Sequence, residues 1–246
     1  MITKHAAAAE LSEGIVKIFH QQGILAFLYG SGTATGELSA DSDLDIVVIS
    51  EQCSVHQLNE FEQFVLQYHE ENNLNIDYAV PHRNKIFYTF DDVRSALRGD
   101  GFRTGDGTLE ISYCDDLEYL RTEHFRLRLL TTALATRKQL LLGSHSILMT
   151  LEKLAWQVLS PIVRATQMLE GHDIKREVYF FQNGSVTSRF GRVFKSYKSY
   201  LGFPTDSEYR AYIRHKLEDM YGNSCSVDLE SALDQIAFPE LREVRR

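Results

Sequence analysis

Three carboxylates and one glycine–serine pair carry the chemistry of this sequence. Asp43 and Asp45 open the run Asp43-Leu44-Asp45-Ile46-Val47-Val48-Ile49, and Gly30-Ser31 closes the apolar run that ends at Tyr29. Side chains alternate across a strand, so Asp43 and Asp45 share one face while Leu44 and Ile46 share the other. Two acids on an apolar strand repel each other and lose hydration unless something positive compensates them. A divalent cation is the natural compensation, and an all-oxygen donor set suits Mg²⁺, which is usually shared with substrate phosphates. Gly30 removes a side chain where backbone must approach a ligand closely. Ser31 adds a hydroxyl and an N–H for phosphate oxygens. A third acid, Asp77, lies in the strand-like run Leu74-Asn75-Ile76-Asp77-Tyr78-Ala79-Val80.

The elements that must position these groups follow from periodicity. Leu11, Ile15, Ile18 and Phe19 fall on one face of a helix over 7–21 that ends at Gly23. A strand over 25–29 leads into the Gly-Ser turn, and a second strand runs over 43–49. Leu58, Phe61, Phe64, Val65 and Tyr68 make 55–71 an amphipathic helix, which Asn72-Asn73 breaks before the Asp77 strand.

Tyr29-Gly30-Ser31, a gap of eleven residues and Asp43-Leu44-Asp45-Ile46 together resemble the signature of the DNA polymerase β-like nucleotidyltransferase superfamily. Each piece alone is an ordinary turn or strand opening; their order carries the resemblance, which is strongest over the first third of the chain. It implies an α+β fold, with a small mixed sheet and helices forming the catalytic core, followed by a helical-bundle C-terminal domain. It also implies two Mg²⁺ ions held by Asp43, Asp45 and Asp77, and a nucleoside triphosphate, ATP first, held by Gly30, Ser31 and Ser42. Asp77 would be the base that activates an acceptor hydroxyl. The size and the Ser-Asp-x-Asp form of the motif are similar to aminoglycoside nucleotidyltransferases, whereas the helical half has no matching stretch. The implied acceptor is therefore a small hydroxylated molecule.

Composition narrows the partners. The 246 residues are 43% hydrophobic and 24% charged, which is globular material able to bury a sizeable core. The net charge of −8 weighs against a protein that coats a polyanion, so nucleic acid is the lesser alternative partner. Cys53, Cys114 and Cys225 lack metal-site spacing, and reduced thiols in a cytoplasmic setting are expected. Glu10 and Glu13 interrupt any signal-peptide core, and no apolar run reaches the ~18 residues that span a bilayer, so no membrane partner is expected.

The rest of the chain reads as follows. Residues 81–107 form an irregular stretch, either a mobile cationic loop near the triphosphate or the acceptor (Arg83, Lys85, Arg94, Arg98, Arg103) or a solvated connection. A strand over 108–113 carries Glu110, an edge residue or a second candidate base. A helix over 115–137 and a short strand ending at Leu142-Gly143 resemble the elements that close the catalytic core in small-molecule nucleotidyltransferases, which implies domains 1–143 and 144–246. Helices follow over 146–169, where Pro161 kinks or ends one, and over 184–201, 206–221 and 226–237. On the 184–201 helix, Arg192 or Lys195 either meets the triphosphate or belongs to a solvated basic face. Arg210 and His215 fit the Arg-x4-His pattern of helical HEPN ribonucleases, a six-residue pattern that chance supplies freely. Two other functions stand beside small-molecule nucleotidyl transfer. One is a toxin-type enzyme that modifies tRNA or protein. The other is a degenerate antitoxin or nucleotide-binding module, against which the intact acids weigh.

Overall fold

A run as apolar as Ile24-Leu25-Ala26-Phe27-Leu28-Tyr29 must be covered on both faces if it is a strand. The computed structural model describes residues 3–20, 23–29, 44–75, 86–103, 108–110, 112–114, 122–167, 177–182, 185–190, 194–196 and 228–237. Its helices are α1 (Lys4–Phe19), α2 (Val55–Glu71), α3 (Phe90–Arg98), α4 (Glu123–Ala135), α5 (His145–Gln167) and α6 (Leu229–Ala237). Its strands are β1 (Ile24–Tyr29), β2 (Asp45–Ser50), β3 (Phe87–Tyr88), β4 (Leu109–Glu110), β5 (Ser112–Cys114), β6 (Lys138–Leu142), β7 (Glu177–Gln182), β8 (Ser185–Phe190) and β9 (Phe194–Ser196). The chain is thus mixed α and β. It divides into two compact units, Met1–Arg94 with Thr136–Glu152 and Asp228–Arg246, and Ser95–Ala135 with Lys153–Val227.

The first unit holds a four-stranded mixed sheet in the order β3-β2-β1-β6. β1 runs antiparallel to both β2 and β6, and β3 joins β2 in parallel. Ile24, Ala26 and Leu28 of β1 and Leu44, Ile46 and Val48 around β2 pack into one core with Leu11, Ile15 and Phe19 of α1 and Phe61 and Val65 of α2. The Phe19 ring meets Phe61 edge-on at 5.5 Å and stacks on Phe87 at 6.3 Å. All six β1 residues are buried, as the composition requires.

Local signals fix the ends of these helices. Thr3 caps α1, its hydroxyl accepting from the Ala6 N–H, and His20 ends it in the left-handed region at φ 56°. Ser54 and Gln57 form a capping box on α2. Tyr68 Oη on α2 donates to Glu10 Oε2 on α1 at 3.0 Å; burial, then that carboxylate, push the phenol above its ordinary range. Pro161 does not end α5, which continues to Gln167.

In the second unit, β4, β7 and β8 form a three-stranded antiparallel sheet, and β5 pairs with β9. A 3-10 turn, Asp100–Phe102, lies against α4. There Arg128, almost fully buried, donates from Nε to the Gly101 carbonyl at 2.5 Å and lies 5.0 Å over the Phe102 ring. A Cβ at Gly101 would stand 2.6 Å from the Arg128 backbone nitrogen, so only glycine lets the turn come this close.

Three sequence expectations change. The stretch read as irregular contains β3, α3 and the 3-10 turn within residues 86–103. Thr89 and Asp92 explain it: the Asp92 carboxylate accepts from the Thr89 N–H at 2.6 Å while the Thr89 hydroxyl accepts from the Asp92 N–H at 3.2 Å. Such a reciprocal cap starts a helix whose buried side is only Phe90, Val93 and Ala96. The helix expected over 184–201 is instead strand over 185–190 and 194–196. Gln182 pairs with Ser185, so the connection has two residues; they are Asn183-Gly184 in sequence, a strong hairpin signal between β-branched and aromatic runs. The strand expected over 108–113 is split, its first part pairing β7 and its second β9. The helix expected over 206–221, including Arg210 and His215, lies outside the described residues.

Candidate functional site

Of the residues expected to act, Asp45 is described; Gly30, Ser31, Ser42, Asp43 and Asp77 lie outside the described residues. What the structure gives is the frame on which Asp45 sits. β1 and β2 are in register along their whole length, with Ile24 opposite Ser50 and Tyr29 opposite Asp45. Tyr29 is the residue before Gly30-Ser31, and Asp45 is the second acid of the motif. The last rung of this antiparallel pair therefore joins the two halves of the sequence signature at one end of the sheet.

The same rung continues across β1, because Tyr29 is also paired with Lys138 of β6. Directly opposed residues of antiparallel strands project to the same side. Asp45, Tyr29 and Lys138 thus make one row on the face opposite that of Leu44, Ile46 and Leu28, which pack with α1 and α2. Asp45 is half-buried at the mouth of the row, while Tyr29 and the β2 residues beyond Asp45 are buried. The alternation expected at the acids holds for Leu44, Asp45 and Ile46.

Lys138 is not a cation waiting for phosphate. Its Nζ donates to Glu152 Oε2 on α5 at 2.6 Å and to the Thr136 carbonyl at 2.8 Å, and both side chains of the ion pair are 5% exposed. A lysine and a glutamate this deeply buried are tolerable only together.

The Leu44 N–H, which lies between Asp43 and Asp45 in sequence, donates to Nε2 of His69 at 3.2 Å. His69 belongs to α2, is 4% exposed, and places its Nδ1 2.7 Å from the Val65 carbonyl. With Nε2 accepting, Nδ1 must carry the proton and donate to Val65, so both ring nitrogens are used by the neutral imidazole.

Two arginines of the expected cationic loop, Arg94 and Arg98, are paired with carboxylates. Arg94 grips Glu230 through Nε and Nη2 at 2.7–3.1 Å and also holds Asp91, so the Glu230 carboxyl lies below its ordinary range. Arg98 pairs with Asp100 at 3.0 Å. Arg83, Lys85 and Arg192 are outside the described residues, and Lys195 lies in β9 opposite Tyr113.

Neither His69 nor the Lys138–Glu152 pair stands out in the sequence. The partner of His69 is a backbone N–H 25 residues away, which leaves no side-chain signature, and Lys138 and Glu152 lie in different elements. Comparisons with family models, with curated proteins and with solved structures return no match.

Proposed function

We propose that the chain is a Mg²⁺-dependent nucleotidyltransferase. It transfers the NMP part of a nucleoside triphosphate, AMP from ATP first, to a hydroxyl of a small acceptor and releases pyrophosphate. The observation that carries this reading is the Tyr29–Asp45 rung, which ends a buried antiparallel pair where the Gly-Ser and Asp-x-Asp segments begin and end. An all-oxygen donor set of Asp43, Asp45 and Asp77 fits magnesium, two ions in all. When bound, the metal neutralises phosphate charge and stabilises the entering and leaving oxygens.

The chain's own groups do the rest. Asp45, placed by its register with Tyr29, presents its carboxylate at one end of an apolar sheet, where water competes less for charge. Gly30, Ser31 and Ser42 donate N–H and hydroxyl hydrogen bonds to the β- and γ-phosphates. Asp77 takes the proton of the acceptor hydroxyl. The acceptor oxygen then bonds to the α-phosphorus as the bond from that phosphorus to the bridging oxygen breaks, and the electron pair leaves with pyrophosphate. Positioning and electrostatics supply most of the acceleration.

The acceptor falls to residues 144–246, the helical half that the resemblance implies, although its described residues hold the strands β7, β8 and β9 as well as the helices α5 and α6. A cytoplasmic setting fits the cysteine pattern, and no described helix is long and apolar enough to cross a membrane. A pyrophosphate-release screen over four NTPs, Mg²⁺ and a panel of hydroxylated acceptors tests the activity, with Asp45→Ala as control. Full turnover by Asp77→Asn beside a dead Asp43→Asn would remove Asp77 from the role of base.

A further inference from the structure

We infer that His69 is a positioning residue for the acidic strand, acting through the Leu44 N–H; this rests on the nucleotidyltransferase reading. The N–H that His69 accepts belongs to the peptide joining Asp43 to Leu44, one residue before β2 begins at Asp45. Asp45 is already held from the other side by its pairing with Tyr29. The backbone at Leu44 and Asp45 is therefore fixed at two points: a strand rung at Asp45 and a side-chain acceptor at Leu44.

The acceptor is itself rigid. His69 is 4% exposed on a seventeen-residue helix, and its second ring nitrogen is tied 2.7 Å from Val65 O one helical turn earlier. A free N–H at the entry to a strand is ordinarily met by water or a neighbouring strand. Here a helix side chain meets it inside the core, which holds the backbone where the carboxylates must converge on a cation. Two acids brought together repel. A segment free to shift relieves that repulsion by spreading them, which weakens the metal site, whereas a pinned segment keeps them together. His69 touches neither metal nor nucleotide in this account; it sets where the ligands stand.

A pair of amide substitutions separates this role from packing. His69→Gln puts its carbonyl oxygen near the place of Nε2 and can still accept from Leu44; His69→Asn reaches only as far as Nδ1 and cannot. Both remove the same ring. The measurement is the Mg²⁺ concentration that half-saturates ATP binding, followed by calorimetry on the full-length chain, with the unfolding midpoint of each variant recorded alongside. The expected result is a rise of about ten-fold or more for His69→Asn and about two-fold or less for His69→Gln, at similar unfolding midpoints. Equal shifts in the two variants, or equal failure to fold, overturn the positioning role, since the ring's packing then accounts for everything. If the wild type binds no ATP at any Mg²⁺ concentration, the nucleotidyltransferase reading falls and the inference falls with it. Wild-type binding with unshifted variants leaves the reading standing and removes only His69.

Discussion

Nζ of Lys138 and Oε2 of Glu152 lie 2.6 Å apart with both side chains 5% exposed, joining the end of β6 to α5. Removing one partner strands a charge in the interior. Glu152→Ala should therefore cost about 3–5 kcal/mol, whereas the double change Lys138→Met with Glu152→Leu should be near neutral or stabilising. Urea unfolding of the two variants checks this. A single variant as stable as the wild type would show that water reaches the pair.

Gly143 follows β6 at φ +107°, where a side chain is strained, and a Cβ there would stand 2.8 Å from Leu25 Cδ1 and 3.1 Å from the Ile24 carbonyl. The leucine tip can move; the strand carbonyl cannot. Gly143→Ala should lower stability by about 1–3 kcal/mol without changing the slope of the urea transition.

Acid should weaken the second unit through His124. Burial first, and the Arg128 charge next, lower this imidazole to about 4, against a pull upward from the Arg103 backbone. The unfolded chain binds the proton near pH 6.5, so between there and about pH 4 it holds more protons than the folded chain. Stability contributed by the neutral ring is present above that window and is lost as pH falls through it. The wild type should lose more stability than His124→Gln between pH 7 and pH 4.5 in matched urea titrations. Parallel losses would exclude the histidine.

Apolar periodicity was enough to place α1, β1, α2 and α5, because each buries a stripe or a whole strand in the core; β6, whose residues are all half-buried, showed instead as the leucine run 140–142 before Gly143. β2 was also legible from Ile46, Val47, Val48 and Ile49, with its observed start at Asp45. α3 was hidden because a nine-residue helix among aspartates and arginines buries only three apolar side chains; Thr89 and Asp92 were its only clear marks. The β7–β8 hairpin was hidden because Phe190, Phe194, Tyr197 and Leu201 also fit a helical stripe. The register decides for strand pairing, with a two-residue connection. In the candidate site, charge and spacing single out the acids from sequence alone. The contacts of the frame around Asp45 do not show there, since His69 accepts from a backbone N–H and Lys138 reaches Glu152 only after β6 and α5 are in place.

The most direct measurement is pyrophosphate release by the wild type and by Asp45→Ala, with Mg²⁺, each of the four NTPs and hydroxylated acceptors. The account predicts release by the wild type with at least one NTP. It predicts a loss of about a thousand-fold or more in Asp45→Ala, as expected when several kcal/mol of metal-borne stabilisation is removed, with the unfolding midpoint little changed. Release by Asp45→Ala at the wild-type rate would contradict it.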